Sequence, residues 1–200
     1  MIQMKQWMKM ISLAMIFVLL AGCSAGGATT TTTTAAQTQS AGTQTEKPGI
    51  LAQFTTTDLV SGEVIDQELL KKYELTMVKV WTTTCGYCIK EMPALGELAA
   101  EYEPRGVRIL GFVGDVINSD GSISESQMKT AQEIVEATGA SYPHMIPSVD
   151  LYGILNQITS VPTTFFVDSE GKQVGYAYTG AQDKNGWIDY IEKMLVEVRK

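Results

Sequence analysis

Cys85-Gly86-Tyr87-Cys88 is the segment of this 200-residue sequence whose residue types and spacing most directly permit chemistry. Two thiols separated by two residues can exchange with a disulfide, one attacking and the other resolving the mixed intermediate. Just before the motif, Leu75–Trp81 is rich in apolar and β-branched residues and reads as a buried strand. Just after it, Ile89, Met92, Leu95, Leu98 and Ala99 recur at helical spacing. The thiols therefore fall where a strand gives way to a helix. Unpaired N–H groups and the positive end of the helix dipole favour a thiolate at Cys85, lowering its pKa from the free value near 8.5. A fall to about 7 would raise the thiolate fraction at neutral pH from a few per cent to about half. Cys88, one helical turn deeper, is placed to attack the mixed disulfide and release the product.

Other uses of the two cysteines fit less well. A metal site needs a second C-x-x-C or several histidines, and the chain has three cysteines and one histidine. Haem attachment needs a histidine after the second cysteine, where Ile89 stands. A purely structural disulfide closing so short a loop would constrain little chain entropy. The reading thus expects no metal and no cofactor beyond the Cys85–Cys88 disulfide itself. Glu91 is spaced i, i+3 from Cys88 and shares its helix face. It is a catalytic candidate, as acceptor of the resolving thiol's proton or as a charge that raises thiol pKa values; the alternative is a solvated helix carboxylate. His144, the single histidine, sits beside Pro143 and is expected at the surface.

The elements around the motif alternate between strand-like and helix-like patterns, which indicates an α/β domain. Residues 51–65 suggest a β-hairpin turning at Ser61-Gly62, and Asp66–Lys72 a short helix. Val107–Val113, Thr163–Val167 and Lys172–Tyr178 read as further strands. Glu125–Thr138, closed by Gly139, and Gly186–Lys200 read as helices. No internal repeat is visible. A net charge of −7 and a pI near 4.8 argue against a nucleic-acid partner, since phosphate binding needs a basic stripe.

The first residues read as an address. Lys5 and Lys9 precede an uncharged stretch from Ile11 to Ala21, the pattern of a signal peptide. Eleven helical residues would span about 16 Å, half of a ~30 Å hydrocarbon core. The end of the stretch, Leu20-Ala21-Gly22-Cys23, resembles the bacterial lipobox, which implies cleavage of residues 1–22 and lipidation of Cys23. One cysteine is then an anchor and two remain to pair. Residues 23–49, with six consecutive threonines from Thr29 to Thr34, cannot form a core and read as a flexible tether reaching about 25–30 Å. Residues 50–200 make the domain.

Over residues 50–200 the sequence resembles the thioredoxin superfamily, and within it the membrane-tethered TlpA/ResA-type thiol–disulfide oxidoreductases. The resemblance rests on Trp81-Thr-Thr-Thr-Cys85-Gly-Tyr-Cys88, on Glu91 and Pro93, and on Val161-Pro162-Thr163-Thr164-Phe165-Phe166-Val167-Asp168 with Gly171. It implies a thioredoxin-like fold: a central mixed β-sheet flanked by helices, an N-terminal β-hairpin, and an insert between Val113 and Thr163. It further implies that Pro162 is a cis-proline facing the dithiol, that the Val161 backbone pairs with an extended substrate, and that Trp81 belongs to the same substrate-binding set. Glu91 matches a glutamate held to tune the thiols in such proteins. Lys79 is a departure, because thioredoxins place an acid there and ResA-like proteins usually an amide. It either pairs with Glu91 beneath the dithiol or snorkels outward. A weak echo of peroxiredoxins, Thr82 three residues before Cys85, fails at Val78, where a proline is expected.

The implied activity is reduction of client disulfides on the extracytoplasmic face of a bacterial membrane. The implied electron source is an integral-membrane, CcdA-like thiol donor, and the implied clients are apocytochrome c or a methionine sulfoxide reductase. Two alternatives use the same residues: a disulfide-forming oxidase, and a tethered peptide-binding module with an inert disulfide.

Overall fold

The computed structural model describes residues 48–200; the signal peptide, Cys23 and nearly all of the tether lie outside the described residues. Strands β1 (Thr55–Thr57) and β2 (Val64–Asp66) pair antiparallel as the expected hairpin. Its corner is tied by the Asp58 carboxylate, which accepts from the Ser61 backbone N–H at 2.8 Å, and Gly62 supplies the left-handed residue, φ +70°. Asp66 then caps the short helix α1 (Gln67–Leu70).

Five more strands form the main sheet: β3 (Leu75–Trp81), β4 (Val107–Val113), β5 (His144–Met145), β6 (Thr163–Asp168) and β7 (Gln173–Thr179). Their order is β5-β4-β3-β6-β7. β3, β4 and β5 run parallel; β6 and β7 join antiparallel. The sheet is mixed, as the resemblance implied. Every residue of the central strand β3 is buried, because both of its faces are covered.

Alternation along β3 and β4 divides the core in two. On one side Leu75, Met77, Trp81, Val107, Ile109 and Val113 pack against helices α2 (Gly86–Tyr102), α3 (Glu125–Thr138) and α5 (Lys184–Val198). On the other, Val78, Val80, Leu110 and Phe112 meet Leu51, Phe54, Ile65, Leu70 and Leu151. Lys79 lies on the first of these faces, between Met77 and Trp81 in the period-2 pattern. The insert holds α3, β5 and α4 (Tyr152–Leu155). Strand β5 carries no sequence signal, since two residues cannot display alternation.

Among the described residues no helix is long and apolar enough to cross a membrane.

Candidate active site

The loop leaving β3 is held before the first cysteine is reached. The Thr83 backbone N–H donates to both Asp115 oxygens at 3.0 Å and its hydroxyl donates to Oδ2 at 2.7 Å. The Gln127 side chain, from α3, donates to the Thr83 hydroxyl at 3.2 Å. The Gly114 N–H donates to the Trp81 carbonyl, so the loops after β3 and β4 are bound together. Asp115 and Gln127 were missed from sequence. The available signal was a polar residue just past the C-terminal end of the parallel strand beside β3, where α/β sheets build their sites.

This loop delivers Cys85 as the N-cap of α2. Its Sγ accepts from the Cys88 backbone N–H at 3.2 Å, and its own N–H donates to the Thr82 carbonyl. Cys85 is half-buried, and Tyr87, between the cysteines, is 75% exposed. Cys88 is 1% exposed and bonded to Cys85. The first cysteine of the pair is thus partly exposed and the second fully buried. The Val161–Pro162 peptide bond is cis. Val80 pairs with Thr163, so the antiparallel register continues to place Pro162 beside Trp81, at the sheet end from which Cys85 emerges. Pro162 is buried, Val161 half-buried, and the Pro162 carbonyl accepts from the Gly180 N–H at 2.8 Å.

One helical turn along α2 from Cys88 lies a buried ion pair. Lys79, 1% exposed, places Nζ 2.5 Å from Glu91 Oε1, 3.2 Å from the Thr164 hydroxyl and 4.4 Å from the Trp187 ring centroid. Glu91, 4% exposed, accepts at Oε2 from the Trp187 indole N–H at 3.0 Å and the Gln182 backbone N–H at 3.2 Å. The solvated reading of Glu91 and the outward reading of Lys79 both give way to this pairing. Burial pushes the Lys79 ammonium down to about 8, and the Glu91 charge partly opposes the shift. Trp187 was read from sequence only as part of an amphipathic helix.

Two expectations are corrected. Trp81 is fully buried and donates its indole N–H to His144 Nδ1 at 3.2 Å, so it supports the site from within and presents no surface to a substrate. His144 is not a surface residue. It is fully buried, stacks on Tyr142 with 4.5 Å between ring centroids, and lies 3.1 Å from the Ala140 carbonyl through Nε2. Gly111 makes this possible, since a Cβ there would stand 2.0 Å from His144 Nδ1. Burial holds the imidazole down at about 4.

A surface cavity of about 380 Å³ adjoins the dithiol, lined by Tyr87, Lys90, Glu91, Ala94, Gln182 and Lys184 among others. On the far side of β6 another, of about 240 Å³, is lined by Ile158, Thr163 and Thr179 among others. Among the described residues no group of three or more His, Cys, Asp or Glu side chains is arranged to hold a metal.

Comparison with known proteins places this geometry. Residues 50–174 match the sequence profile of the AhpC/TSA family. The thiol-disulfide oxidoreductase ResA of Geobacillus thermodenitrificans is 27% identical over 153 residues, covering 75% of this chain and 82% of that protein. The thiol:disulfide interchange protein DsbE of Vibrio cholerae is 27% identical over 156 residues, 74% of this chain and 75% of that one. Among solved structures, a thioredoxin-family thiol:disulfide interchange protein from Chlorobium tepidum superposes with a TM-score of 0.59 at 20% identity, covering 74% of this chain and 97% of that one.

Proposed function

The chain belongs to the AhpC/TSA family, and from that premise we propose that it is a thiol–disulfide oxidoreductase that reduces client disulfides outside the cytoplasmic membrane. The observation that carries the reading is the asymmetry of the pair: a half-buried Cys85 capping α2, and a fully buried Cys88 bonded to it. The names of the relatives, thiol-disulfide oxidoreductase and thiol:disulfide interchange protein, support the same reaction class.

In the reduced protein the Cys85 thiolate, facing the free amides of the first turn of α2, attacks one sulfur of a client disulfide. That bond breaks, the Cys85–client bond forms, and the departing client thiolate takes a proton from water. Cys88 then gives up its proton and attacks Cys85 Sγ, releasing the second client thiol and leaving the Cys85–Cys88 disulfide. Two electrons pass to the client, and a thiol donor must return them. The backbone at Val161 and Pro162, at the same sheet end, is the surface for an extended client segment. Lipidated Cys23 and the tether hold the domain at the membrane, where an integral, CcdA-like thiol donor would recharge it. Apocytochrome c and methionine sulfoxide reductases remain the client classes.

Reduction is favoured over oxidation by one feature. An unpaired ammonium beneath the dithiol would stabilise thiolates and raise the potential, but the Lys79 charge is met by Glu91. The test is a trap. Cys88→Ala in cells should accumulate mixed disulfides between Cys85 and client proteins, and Cys85→Ala should accumulate none. Absence of adducts with Cys88→Ala would favour the peptide-binding module and overturn the assignment.

A further inference from the structure

Lys79 is the one polar side chain that β3 sends into the helix-covered face of the core, where it meets Glu91, the Thr164 hydroxyl and the Trp187 ring. Its ammonium meets Glu91 Oε1 from one side and the Trp187 ring from another. The Trp187 indole and the Gln182 backbone N–H occupy Glu91 Oε2. Both carboxylate oxygens are therefore engaged, Oε1 by the Lys79 charge and Oε2 by two N–H donors. Accepting a proton from Cys88 would mean giving up a buried ion pair, which is costly when one partner is left charged.

We propose, building on the oxidoreductase reading, that Lys79 is a positioning residue for the exchange. Through its contact with Glu91 it orients that carboxylate and balances its charge, and thereby sets how readily the dithiol ionises. Glu91 then acts as a fixed charge compensated by Lys79, not as a proton carrier. The other titratable or charged groups around the pair are Cys88 on α2, Tyr142 before β5, and Lys90, Asp183 and Lys184 around the adjoining cavity. Burial favours loss of the Lys79 proton and the Glu91 charge opposes it. Cys88 and Glu91, at i and i+3, hold their Cβ atoms about 5–6 Å apart, so an uncompensated Glu91 charge must be felt at the sulfurs.

The test is the pH profile of Cys85 alkylation by iodoacetamide in the reduced full chain, followed on the Cys85 peptide by mass spectrometry. Lys79→Gln leaves the carboxylate unbalanced and should slow alkylation at pH 7 about fivefold, the fall in thiolate fraction when a thiol pKa near 7 rises by about one unit. Lys79→Gln/Glu91→Gln should return to within about twofold of wild type, and Lys79→Arg should keep the wild-type profile. Glu91→Gln removes the charge that opposes loss of the buried Lys79 proton, so if Lys79 acts through Glu91 its profile should coincide with that of the double variant within about twofold. That comparison stands even if Lys79→Gln fails to fold. Coincident profiles for Lys79→Gln and wild type or for Lys79→Gln and the double variant, or a Glu91→Gln profile displaced more than about threefold from the double variant, would each overturn the proposal. Failure of the oxidoreductase reading would look different, as a wild-type Cys85 that exchanges with no disulfide substrate.

Discussion

His144 shows how a single residue couples to the site without touching a substrate. Its Nδ1 accepts from Trp81 and its Nε2 faces the Ala140 carbonyl, so the neutral Nε2–H tautomer satisfies both contacts and the imidazolium cannot. With a pKa near 4 in the fold and about 6.5 when unfolded, the ring takes up a proton first in the unfolded chain. Stability from this group is complete above pH 6.5, falls as pH drops towards 4, and changes no further below that. The whole interval is worth about 3 kcal/mol. Urea unfolding at pH 7 and pH 4.5 should show this loss in wild type and a clearly smaller one in His144→Gln; equal losses would contradict the assignment. Gly111→Ala should also destabilise by about 2 kcal/mol or more, because its Cβ would occupy the imidazole's place. The cysteine pair was legible from local spacing alone. The buried state of His144 was not, because one histidine beside a proline has no periodicity, and the clue lay in a glycine on a neighbouring strand.

Helix α2 and strand β3 are the elements the site depends on, and the ion pair between them links two otherwise apolar surfaces. Lys79→Met should cost about 3–5 kcal/mol by stranding the Glu91 charge, whereas Lys79→Met/Glu91→Leu should recover most of it. Chemical denaturation of the two variants checks this, and equal costs would mean that the pair contributes through shape alone. Asp115→Ala removes the acceptor of every Thr83 hydrogen bond to that carboxylate and should cost about 1–3 kcal/mol. It should also slow Cys85 exchange while far-ultraviolet circular dichroism stays unchanged, since α2 keeps its own backbone bonds. The strands and long helices were readable because each carries its own periodicity and turn residues. The partner of Lys79 stayed open because strand alternation gives the face, not what waits across it. Likewise Trp187 contacts Glu91 across 96 residues of sequence, a pairing that only the packed helices reveal.

At the scale of the whole molecule, the mixed five-stranded sheet puts the dithiol, the Pro162 turn and the adjoining cavity at one end of one domain. The mixed sheet and the order of elements followed from strand and helix patterns together with the family resemblance. The proposed anchoring is a separate property, read from the sequence before residue 50. Cys23→Ser is expected to shift the chain from the membrane to the soluble fraction in cell fractionation while leaving disulfide reduction by the domain intact. The central claim, that Cys85 and Cys88 form a reducing dithiol, is tested most directly by equilibrating the pair against glutathione buffers and measuring its reduction potential. The account predicts a value near −270 mV, in the range of thioredoxin. A value near −120 mV, that of a strong oxidant, would contradict it.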